Sequence, residues 1–395
     1  MRRFCMAFVL LSSIAAPGVE AAGERLAFVT SVQGTGNLQT WPAANGLSGV
    51  AAADAICQTR ASSAGLPEAN LFVAWVSDGN NDAYCRVHGL TGKRANACGQ
   101  PILPATAGPW WRLDGRPFAD AAPTSLNGDH ILNPLNVTEL NTVSNALTAF
   151  TATSPIGEKD TDFAGCGDWT SASSSAFVAG GRIASTARAW SVGRIVSCNT
   201  PTPLYCLQRG TGPALPKFST RGRVAFLTAH AYSGNLGASP AAQGQTGLAA
   251  GDAICRSEAQ ASSLPRPITY RAWLSDIGVP AASRFVNDGA WYRLDGQRIA
   301  GSLAKLQSGM IESPINLDND GQYIQSLAAW TGTTASGTPA SDNCSGWTNS
   351  AAAAGYGVVN TTLAPWTQEA DTLSCASQQR IYCLADNDTV FADTF

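Results

Sequence analysis

Charge is what this chain has least of. Asp, Glu, Lys and Arg make up 13% of its 395 residues, the formal net charge is -3, and lysine is scarce. The nearest thing to a basic run is Lys93-Arg94. A nucleic-acid partner needs a cationic stripe to neutralise phosphates, so that class is excluded. Histidine is equally rare: His88, His130 and His230 are scattered, and no two stand at metal-ligand spacing. No Gly-x-Ser-x-Gly, His-Glu-x-x-His, Walker or dinucleotide fingerprint occurs. The expectation is a protein with no metal, no other cofactor and no catalytic constellation.

Long apolar runs are missing after the N-terminus, so no membrane span is expected. The N-terminus carries Arg2 and Arg3 ahead of a short apolar stretch, Phe4 to Ala16, and Val19-Glu20-Ala21 suits a cleavage site. Residues 1–21 therefore read as an export signal, which makes the mature chain secreted or surface-exposed. Cys5 leaves with the signal. Ten of the eleven cysteines remain, an even number in an oxidising compartment, and that combination points to disulfides.

What the sequence does have is a stretch that occurs twice. GLSGVAAADAICQTRASSAGLPEANLFVAWVSD (46–78) is matched by GLAAGDAICRSEAQASSLPRPITYRAWLSD (247–276). Each reads as a short Ala-rich helix with one cysteine, a break at Leu-Pro, and a strand ending Ala-Trp-x-Ser-Asp. Gly251, Cys255 and Ala259 fall four apart on one helix face, small enough to sit close to a sheet. RLAFVTS (25–31) and RVAFLTA (223–229) precede these stretches as opening strands. WWRLDGRPFA (110–119) and WYRLDGQRIA (291–300) follow as aromatic strands running into an Asp-Gly turn. The chain divides into a first domain at 24–209, a linker at 210–221, a second domain at 222–385 and a tail at 386–395.

Cys57, Cys85, Cys98, Cys166, Cys198 and Cys206 fall in the first repeat, and Cys255, Cys344, Cys375 and Cys383 in the second. Cys85 and Cys98 lie in a segment, 78–104, that reads as an insert missing from the second repeat, so they pair most economically with each other. The other four in each repeat leave three pairings open. Asp114 and Asp295 read as turn residues before ligand-facing carboxylates. Asp54, Asp252, Asp78 and Asp276 recur, and structural hydrogen bonding outweighs a carboxylate pair for sugar chemistry. The recurring Trp75, Trp169, Trp190, Trp273, Trp347 and Trp366 read as core before sugar-stacking platforms.

At the Cys-x-x-Trp segments (166–169 and 344–347), the closing Tyr-Cys-Leu (205–207 and 382–384) and the Ala-Trp-x-Ser-Asp strands, a resemblance becomes specific. Each repeat resembles the endostatin-like branch of the C-type-lectin-like superfamily, and looks similar to a bacterial family of secreted proteins with this cysteine frame. The resemblance implies nested bridges, Cys57–Cys206 around Cys166–Cys198 and Cys255–Cys383 around Cys344–Cys375. The implied fold is α+β: two tandem C-type-lectin-like domains, each a twisted, mostly antiparallel sheet with one or two helices and long loops, clasped by disulfides. The calcium-holding Glu-Pro-Asn or Gln-Pro-Asp and Trp-Asn-Asp triplets of sugar-binding members are missing. The nearest material is Asn133-Pro134-Leu135-Asn136 and Asp318-Asn319-Asp320-Gly321. Calcium takes six to eight oxygens, and Asp318 and Asp320 offer only two, so a solvated turn is the stronger reading.

The functional expectation is a non-catalytic binding or adhesion protein that meets an extracellular protein, matrix or glycan ligand through its loops. Asp82, Arg86, His88 and Lys93 in the first repeat, and Asp318 and Asp320 in the second, are the expected contacts. The alternatives are a carbohydrate-active hydrolase using Asp78 or Asp276, and a structural envelope protein.

Overall fold

Period-two alternation along one strand builds each repeat. In β1 (Arg25–Val29), Leu26 and Phe28 point to one face, and Ala27 and Val29 to the other. β9 (Arg221–Leu227) does the same with Val224 and Phe226 against Ala225 and Leu227. A strand buried on both faces must be apolar at successive positions, and these are. The computed structural model describes residues 23–121, 131–163, 165–218, 221–324, 328–387 and 389–390. The expected export signal and His130 lie outside the described residues.

Around β1 stand β2 (Phe72–Ala74), β3 (Trp110–Arg112), β4 (Pro117–Ala119) and β8 (Tyr205–Gln208), in the order β2-β8-β1-β3-β4. β1 runs parallel to β3 and antiparallel to β8. A second antiparallel set follows, β5 (Thr148–Phe150), β6 (Phe177–Arg182) and β7 (Arg194–Ser197). The second repeat copies this plan with β10 (Tyr270–Ala272), β11 (Trp291–Tyr292), β12 (Arg298–Ala300) and β16 (Arg380–Ala385), ordered β10-β16-β9-β11-β12. There β13 (Ala328–Trp330) pairs with β16 and carries β14 (Ala353–Val358) and β15 (Thr372–Ser374). In the first repeat the matching link is a single bridge between Phe150 and Leu204. The fold is α+β with mixed sheets and few helices.

One face of each central sheet is covered by the Ala-rich helix, α1 (Gly49–Ser63) or, after the short α2 (Ala83–Val87), α3 (Gly247–Ala261). Gly251 lies against Leu274 and Ala272, as its small size predicts. Cys57 joins α1 to β8 through Cys206, and Cys255 joins α3 to β16 through Cys383. Cys166–Cys198 and Cys344–Cys375 tie the outer loops, and Cys85–Cys98 closes α2 onto the following coil. The four nested pairs are those the resemblance implied, and Cys85–Cys98 is the pair expected from their shared segment. The larger clasps close 149 and 128 residues, worth about 5 kcal/mol each in the chain-entropy picture. Trp75, Trp169, Trp190, Trp273, Trp347 and Trp366 are all fully buried, as core residues rather than open platforms. None of the four core clusters mixes residues of the two repeats, so each repeat has its own core and clasps.

The insert is shorter than the sequence suggests. Arg86 donates to the carbonyls of Ala74 (2.8 Å) and Val76 (2.6 Å) and pairs with Asp54. Arg284 donates to Ala272 (2.8 Å) and Leu274 (3.3 Å) and pairs with Asp252. Residues 78–87 therefore correspond to 276–285, and only the segment after Val87 is extra. The match was hidden because Asp-Gly-Asn-Asn-Asp and Asp-Ile-Gly-Val-Pro share a chain path but little chemistry. The tail also begins inside the fold. Asp386 accepts from Val286 N (2.9 Å), and Thr389–Val390 form β17 against β9.

Two glycines mark where backbone presses on sheet. A Cβ at Gly181 would sit 1.8 Å from the Trp190 carbonyl oxygen, and one at Gly357 2.0 Å from that of Trp366. Gly355, on the same strand, would meet nothing closer than 3.6 Å. We predict that Gly357→Ala lowers stability by at least about 1–3 kcal/mol, the usual cost of overpacking, while Gly355→Ala stays within about 0.5 kcal/mol. Urea unfolding of the oxidised protein measures both.

Candidate binding site

The site grows from the point where the Ala-rich helix ends against the opening strand. In the first repeat an ion pair holds that point: Arg60 Nε donates to Glu139 Oε1 (2.6 Å), and Glu139 also accepts from Ser31 N (2.8 Å) and Ser31 Oγ (2.6 Å). In the second repeat Glu258 takes the place of Arg60 and Asn319 that of Glu139. Buried Glu258 accepts from Tyr232 Oη (2.5 Å) and faces His230 Nδ1 (2.9 Å). Burial and this carboxylate push the Tyr232 hydroxyl far above its usual range, so it stays a donor. Asn319 accepts from Ala229 N (2.7 Å) and donates to Ser262 Oγ (2.8 Å).

A cavity of about 370 Å³ lies beside the helix end, within the size range of small-molecule sites (roughly 300–1,000 Å³). Leu264, Leu294 and Leu317 give it apolar lining, while Asp295, Asp320 and Tyr323 supply polar groups. Asp295 is held by Arg293, from Nε (3.0 Å) and Nη2 (2.6 Å), and by Tyr323 Oη (2.7 Å). The Arg293 guanidinium also lies 5.6 Å from the Tyr323 ring centre. Burial, then the charge of Asp295, raises the Tyr323 hydroxyl well above its ordinary value, so the ring bears a neutral donor. Asp320 is exposed and accepts from Ser262 Oγ (2.5 Å). Such a set can accept bonds from hydroxyl or ammonium groups and cover an apolar ring face. In the first repeat the positions of Asp320 and Tyr323 are Leu140 and Val143, 56% and 67% exposed, so the polar cavity belongs to the second repeat.

The expected contact residues distribute unevenly. Asp320 lines this cavity. Asp318 is buried and works as a turn residue, its Oδ1 accepting from Asp320 N (3.0 Å) and Gln322 N (2.8 Å), and burial raises its carboxyl above the usual range. Asp82 and Lys93 line a wide depression in the first repeat, of about 610 Å³. There Asp82 is buried under Lys93 Nζ (2.8 Å), Arg94 N (2.8 Å) and Lys159 N (2.9 Å), and pins the insert. The neighbouring charges also pair among themselves, Arg94 with Glu158 (3.1 Å) and Lys159 with Asp168 (2.9 Å). Arg86 is turned into the fold, as described above. His88 Nδ1 lies 2.7 Å from the Tyr84 carbonyl oxygen, with the ring 4.6 Å from that of Tyr84.

Tyr323 and Ser262 escaped the sequence reading, and Asp295 was read there as a turn residue. The signal for Tyr323 was the difference between repeats at matched positions, Val143 against Tyr323, beside Leu140 against Asp320. The carboxylates of the hydrolase alternative serve local structure: Asp78 Oδ1 accepts from Asn80 N (2.8 Å) and Asn81 N (2.6 Å), and Asp276 Oδ1 from Ile277 N (2.6 Å) and Asn343 Nδ2 (3.1 Å). Among the described residues no group of three or more His, Cys, Asp or Glu is placed to hold a metal ion, and no helix is long and apolar enough to cross a membrane. No family model matches the chain, and no curated protein matches it. Fold and site define a class only: a disulfide-clasped α+β chain of two repeats, with a mixed polar and apolar cavity on the second.

Burial lowers the pKa of His88, opposed only in part by the Tyr84 carbonyl. A depressed folded-state pKa means that its stabilising contribution is complete above the unfolded value of roughly 6.5 and is lost as pH falls below it. We therefore expect His88→Phe to flatten the loss of stability between pH 7 and pH 5, measured by chemical unfolding at each pH.

Proposed function

We propose that this is an exported, non-catalytic binding protein with lectin-like domains, and that its second repeat takes a neutral or amino sugar unit of an extracellular glycan. The observation that carries the reading is the second-repeat cavity, where an apolar floor and a tyrosine ring sit beside the exposed carboxylate of Asp320. Sugars present the complementary surface: C–H faces that pack on apolar and aromatic groups, and hydroxyls that donate to carboxylates. Asp320 disfavours acidic sugars, because a like charge brought beside it is repelled, while Asp295 is already neutralised by Arg293. The chain supplies the recognition without calcium, since the Asp318 oxygen that would be a ligand is spent on its own turn.

The first repeat keeps Asp114 under Arg112 at the position of Asp295 but has Leu140 and Val143 in place of Asp320 and Tyr323, so the two repeats are expected to take different ligands. Its insert face, around Lys93, is the second surface on which an extracellular protein or matrix partner would dock, with Asp82 buried beneath it as a brace. The hydrolase alternative is weaker, because Asp54, Asp78, Asp252 and Asp276 are each engaged by internal donors.

Titration of the oxidised full-length protein with neutral, amino and acidic oligosaccharides tests the proposal. Binding to a neutral or amino class, unchanged by chelator and weakened about tenfold or more by Asp320→Ala (about 1.4 kcal/mol), is the expected result. Binding that needs calcium, or that Asp320→Ala and Tyr323→Phe leave unchanged, would overturn it.

A further inference from the structure

The two repeats meet at positions that are equivalent in the repeat. Ser185 stands five residues before Trp190 and Thr361 five before Trp366, so the two occupy the same place in the fold. They face each other as an antiparallel bridge between the repeats. The flanking bonds are reciprocal: Thr186 N donates to Asn360 O (2.8 Å), and Thr362 N donates to Ala184 O (3.0 Å). Thr186 and Thr362 are equivalent, as are Ala184 and Asn360. A second self-contact lies beside it. Asn133 and Ser313 hold the same place before Pro134 and Pro314, and Ser313 Oγ donates to Asn133 Oδ1 (2.5 Å). Asn133 and Ser313 are fully buried, and Ser185 and Thr361 nearly so. Equivalent residues exchanging equivalent bonds define a two-fold, isologous contact.

We infer that this face is self-complementary: the second repeat, freed from the first, pairs with a second copy of itself through it, Thr361 opposite Thr361. The second repeat carries the chemistry for that pairing. Glu312 is already neutralised by Arg298 Nε (2.8 Å) on the same surface, and Ser313 and Gln297 are neutral. The first repeat is less suited. Arg116 pairs across the contact with Glu312, and a first-repeat dimer would set it against Leu132 instead. The Arg116–Glu312 pair favours the mixed contact over either symmetric one, together with the bonds from Arg293 Nη2 to Leu132 O (3.0 Å) and from Asn316 Nδ2 to Thr186 Oγ1 (3.3 Å).

The geometry offers a direct test. The exchanged bonds flank the Ser185–Thr361 pair, which makes it the non-hydrogen-bonded type with Cα atoms about 4.5 Å apart, inside the roughly 4.4–6.8 Å window of a disulfide. Residues 222–390, which hold a complete core and both clasps, are produced alone and oxidised. Expected results are a dimer in sedimentation equilibrium and a covalent dimer from Thr361→Cys, with none from Thr372→Cys on the edge strand β15. In the full chain, Ser185→Cys with Thr361→Cys closes a bridge within one molecule. A repeat that keeps its near-ultraviolet dichroism yet sediments as a monomer overturns the inference, as does a dimer that Thr361→Asp leaves intact. A chain with the second repeat in both positions gives the same answer without a free repeat. Thr361→Cys in both copies then closes one internal disulfide if the face pairs with itself, and leaves two free thiols if it does not.

Discussion

The joint between the Ala-rich helix and the central strands is the constraint on which each repeat depends. It has three fastenings. A cysteine bridges the helix to the last strand, an aspartate accepts the amide of the neighbouring strand, and a buried arginine closes on that aspartate. In the first repeat these are Cys57–Cys206, Asp54 to Ala74 N (2.9 Å) and Arg86; in the second, Cys255–Cys383, Asp252 to Ala272 N (2.9 Å) and Arg284. Arg86 is nearly buried and so is worth little as an isolated ion pair. Its value lies in the strand carbonyls it also satisfies, which would otherwise be stranded where the strand bends into the Ser-Asp loop. Removing either partner leaves a buried charge, so the unit is kept whole in both copies while the surrounding sequence drifts.

That unit explains what was legible and what was not. The helix, the opening strand and the Trp-Arg-Leu-Asp-Gly turn were readable because local pattern and tertiary role agree. The disulfide pairing was not in the spacings and came with the resemblance. Arg86 misled because an arginine in a Gly- and Asn-rich stretch looks like surface chemistry. Its counterpart Arg284 sits in an unlike segment, and only the shared backbone carbonyls reveal the match. Asp82 misled for a related reason: carboxylates that organise loops and carboxylates that meet ligands have the same neighbours in sequence.

Divergence between the repeats is what the proposed function rests on. The Arg60–Glu139 pair became Glu258 with Tyr232, His230 and Asn319, and the adjoining Leu140 and Val143 became Asp320 and Tyr323. The first change preserves a fastening by other chemistry. The second adds polar groups that also make local fastenings, Tyr323 to Asp295 (2.7 Å) and Ser262 to Asp320 (2.5 Å). An exposed carboxylate beside apolar lining, on a scaffold stiffened by long-range clasps, suits the recognition role proposed above.

Hydrogen exchange of the oxidised protein, with and without an amino-sugar oligosaccharide, tests the central claim most directly. The account places slowed exchange at residues 317–323 and at the end of α3 near Ser262, with the first repeat unchanged. Protection confined to the insert around residues 79–96, or none anywhere under conditions where the sugar binds, would contradict it.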